Sequence, residues 1–265
     1  MVDRRNAEAK YMATVSSPAG IYDYLLGGVN YSDADREAAE KALQIVPETR
    51  IAALENRAFM QRAVRYVAER GVRQFIDIGS GYPTVGAVHE IAQEYFTDPH
   101  VVYVDYDPAV ASLSRRLLTS PNAVVAVHDL RQPEEIVNGL EVTRLIDWTE
   151  PVAVLMVAIL HFVTEAEDPA RLIATFRELM APGSHLVVSH ASVGERPEQT
   201  EGAAKAWERS RSAVTLRTAD EIKGLFAGFE LIPPGLVSTR EWRPIDSQPA
   251  GPARVLAGVG RLPAT

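Results

Sequence analysis

The sequence predicts an α/β fold: a parallel sheet with helices on both faces and a helical cap ahead of it. Three observations support this. From Val72 onward, short apolar runs alternate with amphipathic ones at the rhythm of strands and helices. The first run, Phe75-Ile76-Asp77-Ile78, ends in Gly79-Ser80-Gly81, a strand entering a glycine turn. Some 55 residues of helical pattern precede that strand. They cannot belong to the alternation, so residues 1–71 are expected to form the cap and residues 72–265 the ligand-binding core.

Taken in order, residues 1 to about 17 are polar and expected to be loosely held. In Pro18-Ala19-Gly20-Ile21-Tyr22-Asp23-Tyr24-Leu25-Leu26-Gly27-Gly28, Ile21, Tyr24 and Leu25 share one face of a short helix stopped by two glycines. A second helix is predicted from Asp33 to about Ile45. A third opens at Pro47 and ends at Gly71, with Ile51, Leu54, Ala58, Val64 and Val67 keeping the helical period. Strands follow over 75–78, 101–105, 123–127, 152–157 and 184–190. Helices are expected over about 84–95, 108–118, 133–138 and 168–180. Glu198–Ser212 reads as a surface helix or lid and Thr218–Phe226 as a helix. Strands near 229–232 and 254–259 have no helix between them, which predicts an antiparallel pair at the sheet edge.

Composition excludes several functions. A net charge of -8 over 265 residues argues against nucleic-acid binding. With no cysteine there is neither disulfide nor thiolate chemistry. The start lacks a signal-peptide core, and the longest apolar run, Val152 to Val163, is too short to span a bilayer. A soluble cytoplasmic protein is the expectation. Composition leaves oligomeric state open, with a homodimer among the options.

Right-handed crossovers bring the carboxyl ends of parallel strands to one edge, where ligands bind. Asp77, Asp105, Asp129, His161 and His190 all fall there. Asp105 ends the second strand at the spacing from the glycine turn that suits ribose hydroxyls. A dinucleotide site would require a third glycine where Thr84 stands, after Pro83. S-adenosylmethionine has no pyrophosphate and makes no such demand. It requires a backbone turn (Gly79, Gly81), a carboxylate for the ribose (Asp105) and an acceptor for the adenine amino group (Asp129). The methyl donor is therefore preferred to a nicotinamide cofactor.

The chain resembles the class I S-adenosylmethionine-dependent methyltransferases, and among them an actinobacterial S-adenosyl methyltransferase family. The resemblance rests on the Pro18–Gly28 motif, Ala34-Asp35-Arg36-Glu37, Arg73–Thr84, Val102–Pro108, Met156–Val163, Ala181-Pro182-Gly183-Ser184 and Trp242-Arg243-Pro244. It implies a Rossmann-like seven-stranded core with a helical N-terminal cap. After Gly27-Gly28 the family usually shows a lysine and an aspartate, where this chain has Val29 and Asn30.

Donor-binding candidates are Asp77, Gly79, Gly81, Asp105, Tyr106 against the adenine face, Asp129, Tyr22 closing from the cap, and Arg36. The last either anchors the donor's carboxylate or structures the cap. His161 and His190 are the candidates for a general base or an acceptor-orienting group; their bland reading is a pair of buried, satisfied histidines. No third ligand accompanies them, so no metal site is expected. The expected partner is a small-molecule methyl acceptor, not nucleic acid or membrane. The alternative is a catalytically silent protein that binds the donor or its demethylated product as a sensor or partner module.

Overall fold

The computed structural model describes residues 16–84, 86–193, 214–245 and 255–264. The expected lid helix over Glu198–Ser212 lies outside them. Helices α1 (Pro18–Leu25), α2 (Asp33–Ile45) and α3 (Thr49–Ala68) come first. The core follows as β1 (Gln74–Ile78), α4 (Val88–Ala92), β2 (His100–Asp105), α5 (Pro108–Leu117), β3 (Ala123–Val127), α6 (Pro133–Val137), α7 (Leu140–Leu145), β4 (Val152–Val157), α8 (Pro169–Arg177) and β5 (His185–Ala191). Helix α9 (Ala219–Gly224) and strands β6 (Glu230–Leu231), β7 (Val237–Ser238) and β8 (Val255–Arg261) complete it.

Strand order is β3-β2-β1-β4-β5-β8-β6. Strands β1 to β5 are parallel, whereas β8 runs antiparallel to both β5 and β6. The expected late antiparallel pair is present, with β8 inserted between β5 and β6. The short β7 pairs with β8 off the main path, so the seven-stranded path carries an eighth strand.

The parallel strands are buried on both faces, and alternate residues feed two apolar layers. Phe75, Val101, Tyr103, Leu155 and Val187 pack with Phe59, Val64 and Val67 of α3. Ile76, Val102, Val154, Met156 and Val188 pack with Leu172, Ile173 and Phe176 of α8. Helix α3 therefore covers one face of the sheet itself. Ile21, Leu25 and Ala39 of α1 and α2 form a separate small cluster with Ala53.

The α1–α2 unit is fixed by one carboxylate. Asp35 Oδ1 accepts from the Ser17 N–H at 2.6 Å, and Oδ2 accepts from the Ser32 N–H at 2.7 Å, closing a capping box with Ser32. Gly20 makes room for it, since a Cβ there would lie 2.1 Å from Asp35 Oδ2.

Two local expectations are corrected. Helix α4 starts only at Val88, because Gly86 adopts φ +74° and Glu90 caps the Gly86 and Ala87 N–H groups. On α3, Ile51 and Leu54 point outward at 51% and 48% exposure, and Ala53 and Asn56 take the inner face.

Candidate functional site

The glycine turn after β1 needs both of its glycines. Gly79 and Gly81 have φ of +68° and +58°, and a Cβ on Gly79 would lie 2.4 Å from Ile159 Cγ1. Asp105, ending the neighbouring β2, holds the turn in place. Its Oδ2 accepts from the Gly81 N–H and its Oδ1 from the Asp107 N–H, both at 3.0 Å. Burial pushes the Asp105 carboxyl up to about 6, against the pull of these amides. Burial also pushes Asp77 up to about 7. The Arg57 guanidinium opposes that shift and the Asp105 charge adds to it.

These groups open into a cavity of about 270 Å³. Of the residues expected at the site, the structure brings Tyr22, Asp77, Gly79, Gly81, Asp105, Tyr106, Asp129 and His161 to its wall. Asp129 is held by Arg131, whose backbone N–H reaches Oδ1 at 2.9 Å while the guanidinium bonds Asp129, Glu167 and the Phe162 carbonyl. The Tyr22 hydroxyl is already engaged. It donates to the Ala53 carbonyl at 3.1 Å and accepts from Asn56 Nδ2 at 2.9 Å, so Tyr22 forms wall.

Two expected residues are not in the wall. Arg36 extends from α2 into solvent and pairs with Asp33 at 3.1 Å, because the capping box turns Asp35, and not its neighbour, inward. It is absent from the cavity wall. His190 is fully buried behind it. Its Nδ1 donates to the Ala191 carbonyl at 2.7 Å and its Nε2 accepts from Arg217 at 2.7 Å, so both ring nitrogens are used.

His161 sits on the short 3₁₀ turn Leu160–Phe162 after β4, its ring 5.7 Å from that of His190 at 89°. Arg217, 2% exposed, fixes this segment by donating to the Leu160 and Val163 carbonyls and pairing with Glu165. Burial lowers His161 to about 3, with His190 and Arg217 adding to the effect. His161 is therefore neutral at pH 7 and a weak proton acceptor. Its Nδ1 has no partner among the described residues.

The sequence reading missed part of the wall. Ala158, at the end of β4, has φ +55°, a conformation unusual for a residue with a side chain. Its N–H donates to Ser189 Oγ at 2.9 Å, and Ser189 Oγ donates to Asn56 Oδ1 at 2.6 Å. Asn56 and Arg57 of α3 both line the cavity. The one available signal was Asn56 itself, a polar residue between Ala53 and Met60 on a helical stripe.

The late start of α4 bears on the ligand. A dinucleotide site places a helix N-terminus directly after the glycine turn. Here residues 81–84 continue as loop, so the pyrophosphate cradle is missing while the turn and the strand-end carboxylates remain. Among the described residues no helix is long and apolar enough to cross a membrane, and no cluster of three metal-ligating side chains occurs.

Solved structures share this fold. No curated protein matches the chain. Its fold matches a candidate methyltransferase of Thermobifida fusca at 37% identity and TM-score 0.90, covering 96% of this chain and 97% of the other. It also matches a DUF574 family protein of Streptomyces avermitilis at 35% identity and TM-score 0.89, covering 94% and 98%. Human N-acetylserotonin methyltransferase, solved with S-adenosylmethionine, shares the fold at TM-score 0.50 and 14% identity, covering 97% of this chain and 65% of that one. The sequence model of the S-adenosyl methyltransferase family matches residues 4–263. The chain belongs to that family, a class I methyltransferase fold whose methyl donor is S-adenosylmethionine.

Proposed function

We propose that the enzyme methylates a small, largely apolar molecule enclosed between α1–α3 and the carboxyl edge of the sheet. One observation carries this reading. The cavity that holds Asp77, Asp105 and Asp129 continues into a wall of Leu25, Val46, Ala53, Met60, Phe162 and Leu216. A macromolecular acceptor would need an open, charged approach. An apolar wall beneath cap helices favours an acceptor that can be buried. In this reading α1 and α2 act as the cap.

The donor roles follow from position and chemistry. Asp105 binds the ribose hydroxyls with the acceptor capacity its turn amides leave over, through charge-assisted hydrogen bonds. Asp129, oriented by Arg131, receives the adenine amino group, and Tyr106 lies beside the ring. Asp77 faces the methionine portion across Gly79. When bound, the donor supplies a methyl group on an activated sulfonium. The protein's part is to align the acceptor atom with that methyl group and to exclude water. His161, neutral and anchored through Arg217, orients the acceptor by a hydrogen bond. His190 packs behind it as a positioning residue.

The test uses donor labelled in its methyl group, incubated with enzyme and a fractionated cell extract. The expected outcome is label in the low-mass fraction. Label in protein or nucleic acid would overturn the small-molecule reading. Tight donor binding with no transfer into any fraction would favour the catalytically silent alternative.

A further inference from the structure

The motif around Asp23 in α1 has no role in the donor contacts assigned so far. Among the described residues, the cavity wall contains three buried polar atoms without a hydrogen-bond partner: Asp23 Oδ1, Arg57 Nε and His161 Nδ1. Buried polar atoms are nearly always paired, and a buried charged group left half-satisfied is costly. His161 is accounted for by the acceptor. The other two are a carboxylate and a guanidinium, and both come from the helices ahead of the sheet.

Their surroundings place them at the same end of the cavity. Asp23 is 2% exposed, and its Oδ2 accepts from the Asn30 N–H at 2.6 Å. Its chain is wrapped by the Gly27-Gly28 turn, where a Cβ on Gly28 would lie 2.4 Å from either carboxylate oxygen. Burial pushes the Tyr82 hydroxyl up to about 12, and Asp23 is one of four carboxylates whose charges add to the shift. Arg57 donates to Thr84 Oγ1 through Nη2, and its charge acts on Asp77. Both groups thus border the segment from Asp77 to Thr84. A ligand reaching past the glycine turn would meet one fixed anion and one fixed cation.

An α-amino-acid head group presents the complementary charges, one ammonium and one carboxylate. We propose that Asp23 and Arg57 form a clamp for the amino-acid head of the donor, Asp23 receiving the ammonium and Arg57 the carboxylate. The assignment rests on the donor site described above and extends it to the helices before the sheet. It gives the Pro18–Gly28 motif a function: reading whether a bound adenosine derivative carries its amino-acid chain. The guanidinium suits a carboxylate because its planar N–H groups can donate in parallel. Thr84, standing where a dinucleotide site would carry its third glycine, orients that guanidinium.

The test is isothermal titration of two ligands into the native protein and the variants Asp23→Asn and Arg57→Gln. The ligands are S-adenosylhomocysteine and methylthioadenosine, the nucleoside with a methyl group in place of the amino-acid chain. Native protein is expected to prefer S-adenosylhomocysteine. Each variant is expected to bind it about tenfold or more weakly while binding methylthioadenosine as the native protein does. Retained nucleoside binding also shows that the variants fold. Equal weakening of both ligands, or no weakening of either, would overturn the clamp. A native protein that binds neither would overturn the donor site itself.

Discussion

Ser189 Oγ donates a 2.6 Å hydrogen bond to Asn56 Oδ1, joining the end of β5 to the inner face of α3. The bond is the centre of a relay. On one side Ala158 N–H donates to Ser189, and on the other Asn56 donates to the Tyr22 hydroxyl. One chain of hydrogen bonds, buried at its centre, thus connects the end of β4, the sheet, α3 and α1.

Breaking the relay by Asn56→Ala leaves Ser189 and Tyr22 with buried hydroxyls short of a partner. The variant should lose about 1–3 kcal/mol of stability, read by urea denaturation at pH 7.5. Ser189→Ala should cost a similar amount, and the double variant less than the sum, since both remove the same bond. Full additivity would contradict a shared relay.

Donor binding should be linked to protons. Burial raises Asp77 to about 7 and Asp105 to about 6 in the ligand-free protein. A cationic donor selects the ionised carboxylates. Affinity for S-adenosylmethionine should therefore be flat above pH 8 and fall below pH 7, approaching about tenfold per pH unit for each proton taken up. Calorimetry in buffers of different ionisation enthalpy should detect proton release on binding near pH 6.5.

The same raised values have a stability sign. A folded pKa above the unfolded one contributes stability at low pH that is lost as pH rises through the folded value. Asp77→Asn should thus stabilise the ligand-free protein at pH 8 by about 1–3 kcal/mol while weakening donor binding. Thermal melts of both forms, with and without donor, check this.

Three buried histidines act in the opposite direction. Burial lowers His161 to about 3 and His185 and His190 to about 4. Their contribution is present above about 6.5 and is lost as pH falls towards 4. Among the described residues, neither ring nitrogen of His185 makes a hydrogen bond of normal geometry. His185→Phe, far from the cavity wall, should reduce the loss of stability between pH 6 and pH 4. An unchanged acid profile would remove His185 from this account.

The parts of this molecule legible in its sequence are those with local signatures. The strands carry short apolar runs, and strand-end residues such as Asp77, Asp105 and Asp129 reach the cavity because parallel topology leaves no other edge for them. Helix α3 shows where periodicity fails. Ile51 and Leu54 keep the apolar period yet face outward, while Asn56, 2% exposed, turns inward to bond Ser189. A helix lining a polar cavity buries a polar residue for its partner, and that partner is 133 positions away. His190 misled for the converse reason: its position matched the site, but Arg217 and the Ala191 carbonyl had already taken its nitrogens.

In the proposed donor site, the carboxyl edge of β1 and β2 holds the donor through Asp105. Isothermal titration of S-adenosylmethionine into the native protein and Asp105→Ala tests it most directly, with circular dichroism confirming that both are folded. The predicted result is one site per chain in the native protein and at least about a tenfold loss in the variant, as removal of a charge-assisted contact requires. Equal affinity in the two proteins would contradict it.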